Sequence, residues 1–161
     1  MKLQEFVNTM VFGMLMASIK GSIHTQKSME EAYQSTYFLL PRIHCKDGFN
    51  ISIQVNRGNY CASENGVRIF GTDWKLVEWG FPSEQIDAKK YNAENYLAED
   101  EEIDTTQTVG GYVEIELMDQ LLQEHGGIDL QTTLINSIKF NGIGGICTHL
   151  SNKNICYQLT R

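Results

Sequence analysis

Little in this chain staples it or breaks it. Only two prolines, Pro41 and Pro82, occur in 161 residues, so there are just two places where the preceding residue is driven out of the helical region. Four cysteines, Cys45, Cys61, Cys147 and Cys156, are too few and too scattered for a disulfide framework at this length, and free thiols in a reducing compartment are expected. Positive charge is scarce. Thirteen Lys and Arg against twenty Asp and Glu leave a net charge of −7. That argues against a general phosphate-backbone binder, which needs clustered cations, and permits a basic protein partner or mimicry of a nucleic acid's negative surface. The uncharged stretch Phe6–Ile19 would reach only about 21 Å as a helix, too short for a bilayer. Lys2 is followed closely by Glu5, an unsuitable start for an export signal. The expected location is therefore the cytoplasm.

What is present is an ordinary globular composition, 42% apolar and 20% charged, sized for one domain with a real core. Lys2–Lys20 reads as a helix. Leu3, Phe6, Val7, Met10, Met14 and Leu15 keep helical spacing, while Val11, Phe12, Met16 and Ile19 widen the stripe nearly all round. A helix apolar on most sides must be covered on most sides, by core, by a partner or by a second copy. Ser28-Met29-Glu30-Glu31 is a capping-box start, with a second helix running to about Phe38 and ended by Pro41. The two make an N-terminal helical hairpin.

A β region follows. Asp47-Gly48 marks a turn, and Phe49, Ile51, Ile53 and Val55 alternate with polar residues as a half-buried strand. Turns at Arg57-Gly58-Asn59 and Asn65-Gly66 separate it from Tyr60-Cys61-Ala62, Val67–Phe70 and Lys75–Phe81, which predicts an antiparallel meander of about four strands. Val77, Trp79 and Phe81 should share a face. Ser83 could cap a short helix to Glu94. Glu99–Asp104 is an acidic, loop-like stretch. Tyr112–Ile115 reads as a strand and Glu116–His125 as a helix stopped by Gly126-Gly127. A final unit has a helix over Leu130–Phe140, a glycine-rich connector, and a β-hairpin pairing Ile146–Leu150 with Ile155–Leu159. The expectation is an α+β single domain over 1–161, with a helical extension at 1–40, an α+β core at 43–128 and a helix-plus-hairpin extension at 129–161.

Several pieces of the core occur in a set order: Asp47-Gly48-Phe49, Ser52-Ile53-Gln54, Tyr60-Cys61, Val77-Glu78-Trp79-Gly80-Phe81-Pro82-Ser83, Gly111-Tyr112-Val113 and His125-Gly126-Gly127-Ile128. This ordered set, over residues 43–128, resembles a family of small uncharacterised tailed-phage proteins. The chain departs from that pattern, Tyr-Cys-x-Pro-Arg, where Tyr60-Cys61-Ala62 is followed by Ser63-Glu64 in place of Pro-Arg. The resemblance implies a phage source and no settled activity.

For chemistry, the residues offer little. If Leu150 pairs with Ile155, then Cys147, His149 and Cys156 share one face of the C-terminal hairpin, three soft ligands that suit zinc, with a fourth from His44 or Cys45. A one-residue slip abolishes that cluster. Cys45 adjoins His44, but neighbours on a strand point to opposite faces, so no thiolate–base pair is expected, and Cys61 shows no partner. Gly142-Ile143-Gly144-Gly145 lacks the lysine of a phosphate loop, and the acidic stretch lacks the alternation of a calcium loop.

The expected partner contacts are Met10, Phe12, Met14 and Met16 of the first helix, Trp74 beside a turn, and Asp100, Glu101 and Glu102 of the acidic stretch. The leading expectation is a non-enzymatic phage-encoded protein that binds and inhibits a host protein or complex in the host cytoplasm, such as an antiviral-defence component, without cofactor, membrane or direct nucleic-acid contact. A virion or assembly protein, oligomeric through the first helix, is the alternative. A small metal or ligand binder using Cys147, His149 and Cys156 is the third reading.

Overall fold

The computed structural model describes residues 1–21, 28–93 and 103–141. They form an α+β fold: α1 (Leu3–Gly21) and α2 (Met29–Ser35) precede an antiparallel sheet, and α3 (Ile115–Glu124) and α4 (Leu130–Asn141) follow it. One continuous buried cluster runs from Leu3 of α1 to Ile128. No helix among the described residues is long and apolar enough to cross a membrane.

The helical hairpin forms as expected. Leu3, Phe6, Val7, Met10, Val11 and Leu15 are buried, and their spacing is that of one helical face. The first turn of α1 is held from outside: Asp119 of α3 accepts from the Leu3 N–H at 2.8 Å, satisfying one donor that a helix start leaves open. At α2, Ser28 and Glu31 make the reciprocal capping box. This helix stops at Ser35. Residues 36–42 then run as a non-helical strap (36–42) tied down by amide side chains. Gln54 bonds both the N–H and the carbonyl of Leu40, and Asn56 donates to the Phe38 carbonyl at 2.6 Å.

The sheet has six strands: β1 (Ile43–His44), β2 (Asn50–Gln54), β3 (Ala62–Ser63), β4 (Gly66–Val67), β5 (Trp74–Gly80) and β6 (Val109–Glu114). Its order is β1-β2-β5-β3-β4, with β6 on β5. All pairings are antiparallel, as a meander requires, but the long β5 is the hub. It takes β2 along its C-terminal half, β3 near its start, and β6 as well. Two-residue strands such as β3 and β4 cannot line the five residues of β2. The loop at 56–61, closed by Asn56 and Asn59 side chains, carries the chain past β2 instead. The edge of β1 is covered by the start of α4: the His44 N–H donates to Thr133 Oγ1 at 2.9 Å and its carbonyl accepts from the Asp129 N–H at 2.8 Å.

Three expectations are corrected. Residues 83–93 form turns and no helix. The Ser83 hydroxyl does not cap a helix but accepts from the Asn50 N–H. Asp87 takes the Lys89 and Lys90 N–H groups onto its carboxylate, a local turn that competes with helix. Phe81 does not share the buried face of Val77 and Trp79. Its φ of 50° turns it outward, and it is half exposed. Trp74, expected at the surface, is fully buried, because it packs beside Tyr33 with ring centroids 6.0 Å apart.

Candidate functional site

The expected site residues scatter. On α1, Met10 is buried in the core, Met14 and Met16 are half-buried, and Phe12 is 57% exposed. Of the stripe from Met10 to Met16, Phe12 alone is exposed. Trp74 is core and offers no contact surface. Asp100, Glu101 and Glu102 lie outside the described residues, as do Cys147, His149 and Cys156 with the C-terminal hairpin. The two residues named as a fourth zinc ligand point apart: Cys45 Sγ faces the Leu122 carbonyl at 3.9 Å, and His44 Nε2 faces Asn136. Burial pushes the Cys45 thiol up to about 12 and the Cys61 thiol up to about 11, so neither is a ready thiolate. Among the described residues, no group of three or more His, Cys, Asp or Glu is placed to hold a metal ion.

Two places bring together residues far apart in sequence. The first joins the Asp47-Gly48 turn to the end of α3. His125 Nδ1 lies 2.7 Å from Asp47 Oδ2, the imidazole stacks on Phe49 at 3.9 Å, and Nε2 is 3.6 Å from Glu84 Oε1. His125 is the C-cap. Gly126 N–H reaches the Gln123 carbonyl and Gly127 N–H the Leu122 carbonyl, the paired bonds of a Schellman stop. The chain then bridges Ile128 to Cys45. The Asp47 carboxyl is held below its ordinary value, first by the Phe49 N–H and then by His125. An Asp-oriented histidine is half of a general-base arrangement, but no Ser, Cys or Thr hydroxyl or thiol is found bonded to this one among the described residues. The geometry is that of a clamp between turn and helix.

The second place lies over β5. Glu78 alternates with the buried Val77 and Trp79 and so points to the other face of the sheet. Its carboxylate accepts from the Tyr60 N–H at 2.8 Å and from the Asn59 amide. That fixes Tyr60, 41% exposed, beside Tyr112, 39% exposed, with ring centroids 5.6 Å apart. The Arg68 guanidinium lies over the Tyr60 ring at 5.1 Å from its centroid. The β6 backbone bulges here, and the Tyr112 N–H donates to the Tyr60 carbonyl at 2.9 Å. A Cβ at Gly111 would sit 2.4 Å from that of Tyr60, so this approach needs glycine. Arg68 and Tyr112 themselves take left-handed φ, 58° and 54°, where an L side chain meets its own backbone.

Sequence reasoning placed Tyr60 on a strand of the meander but did not bring it together with Arg68 or Tyr112. The available signal was the pair of glycines before Tyr112, which marks a close approach rather than mere flexibility. Comparison with family models, with curated proteins and with solved structures returned no match.

Proposed function

We propose that this chain is a non-enzymatic binding protein, encoded by a phage, that engages and inhibits a host protein. The observation that carries the binding reading is the Tyr60–Arg68–Tyr112 cluster, two exposed tyrosines around a half-buried arginine, with two of the three members on strained backbone. Tyr and Arg are the residue types that dominate the energetics of protein interfaces. Backbone strain of this kind costs on the order of 1–3 kcal/mol per residue and persists where the fold enforces it, often at functional places. The net charge of −7 favours a protein partner over a polyanion. The phage source rests on the motif resemblance over residues 43–128, and the inhibitory outcome on that source taken together with the acidic charge and the apolar first helix.

The test is capture of partners by tagged protein from a phage-infected host, compared with Tyr60→Ala/Tyr112→Ala. One abundant host complex that the double variant no longer holds supports the reading. A complex held equally by both excludes this face.

A second reading, a self-associating assembly protein, is favoured by Phe12, exposed on α1 ahead of half-buried Met14 and Met16. Light scattering separates the two: oligomers that Phe12→Asp dissolves support assembly, and a monomer removes it.

A further inference from the structure

We infer that Arg68 is the anchor of the Tyr60–Tyr112 face and receives a single carboxylate of the partner protein, an Asp or Glu side chain with apolar neighbours. This rests on the reading of that face as a binding surface and supplies its chemistry.

Arg68 is oriented but not satisfied. Its Nε–H donates to the Asn59 carbonyl at 3.0 Å, and its guanidinium lies over Tyr60. Together these fix the plane of the fork while using one of its five N–H donors. Among the described residues, no carboxylate forms an ion pair with it. The one acid in this cluster, Glu78, is already committed to the Tyr60 N–H and the Asn59 amide. The remaining donors of this half-buried fork have no carboxylate partner among the described residues and are left for a ligand.

The backbone says the same. Residue 68 follows the Asn65-Gly66 turn and sits at φ 58°, a conformation glycine adopts freely and asparagine tolerates. A position that served only the turn would be relieved by either. Arginine there delivers the side chain from a short strand end onto Tyr60. The Arg68 carbonyl is held by Gln34 Nε2 and its N–H by the Cys61 carbonyl, so the strained residue is pinned on both sides.

The shape of the ligand follows from charge and flanks. A planar fork matches a carboxylate through two parallel bonds. A phosphate group or a nucleic acid would want several cations, and Arg68 is the only one in the cluster. The exposed Tyr60 and Tyr112 rings lie alongside. An acidic side chain between apolar residues meets the fork and this apolar rim together.

The test is selection of a displayed library of random peptides on the intact protein, then affinities of the enriched peptides for three variants. The expected result is enrichment of Asp or Glu beside apolar residues. Arg68→Lys, which keeps the charge but loses the fork, should weaken binding roughly 10- to 100-fold, the range of a charge-assisted hydrogen bond. Arg68→Gly, which suits the backbone, should weaken it at least as much while the near-ultraviolet dichroism is retained. Enriched peptides without acids, or equal affinity for Arg68→Lys, overturns the inference. If Tyr112→Ala then weakens binding and Arg68→Lys does not, the face binds but not through a carboxylate. If no variant matters, or nothing is enriched, the face itself is excluded.

Discussion

The clamp at Asp47–His125 and the face at Tyr60–Tyr112 solve the same backbone problem in opposite ways. Both need left-handed residues to turn the chain. At the clamp those positions are Gly48, Gly126 and Gly127, with φ of 102°, 81° and 81°, and the polar groups there find partners within the protein. At the face they fall on Arg68 and Tyr112, and the arginine fork is left open. Where the fold needs only a turn, glycine supplies it without strain. Where a large side chain holds the strained position, the surrounding fold enforces it at a cost. The contrast sets a junction closed within the protein against a face that we propose for recognition.

The contrast breaks most severely at Gly111. An alanine there places its Cβ against Tyr60, and neither the Tyr60–Tyr112 backbone bond nor the Glu78 anchor can yield without the other. Overpacking of this kind costs about 1–3 kcal/mol or more. Gly111→Ala should lower the chemical-denaturation midpoint with the slope unchanged and abolish partner binding. A midpoint like that of the parent would mean that the bulge relaxes freely.

Gly126→Ala is the matching change at the clamp and should cost less. The new Cβ meets Lys46 Cβ at 3.3 Å, tight but beside a flexible side chain. The main penalty is the left-handed backbone, about 1–2 kcal/mol. Partner binding should be unaffected, and a loss of binding together with stability would tie the clamp to the face.

Arg68→Gly sharpens the comparison because its two effects oppose. Relief of left-handed strain favours the folded state, while loss of the Asn59 bond and the contact with Tyr60 disfavours it. The unfolded chain also gains freedom. The net change in stability should stay within about 1 kcal/mol. Thermal unfolding checks it, and a loss far larger than this would make Arg68 a structural residue whose unpaired fork is incidental.

How much of this was legible depended on range. The capping box at Ser28 and the Gly-Gly stop of α3 are local chemistry and read directly. The buried side of α1 also followed from spacing, although spacing could not say that Phe12 alone of the strip from 10 to 16 would be largely exposed. Sheet order was not legible. Whether β2 pairs with the next strand or with β5 is settled by the lengths of β3 and β4, and by asparagine side chains that close the intervening loop. The proposed helix after Ser83 failed because Asn50 takes the capping hydroxyl. Trp74 was misplaced because nearness to a turn says nothing about whether Tyr33 of a distant helix packs on it. Asp47 and His125, 78 positions apart, meet only once α3 returns to β1. Arg68 and Tyr112 were hidden for a further reason: left-handed backbone is normally announced by glycine or asparagine, and here it is not.

The smallest expected effect lies in the clamp's response to acid. The Asp47 carboxyl titrates below its ordinary value of 3.8, through the Phe49 N–H first and His125 second. A depressed carboxylate binds fewer protons folded than unfolded, so its contribution is present above the ordinary value and disappears as pH falls through the lower, folded one. Asp47 is open to solvent, which screens the effect. Asp47→Asn should therefore lower the denaturation midpoint slightly at neutral pH, and the gap to the parent should close on acidification. The same substitution removes one charge and keeps an acceptor for the Phe49 N–H, so what it isolates is the charge itself. A gap that stays constant across this range would mean that the clamp is held by the Phe49–His125 stack and the glycine cap, with the carboxylate a bystander.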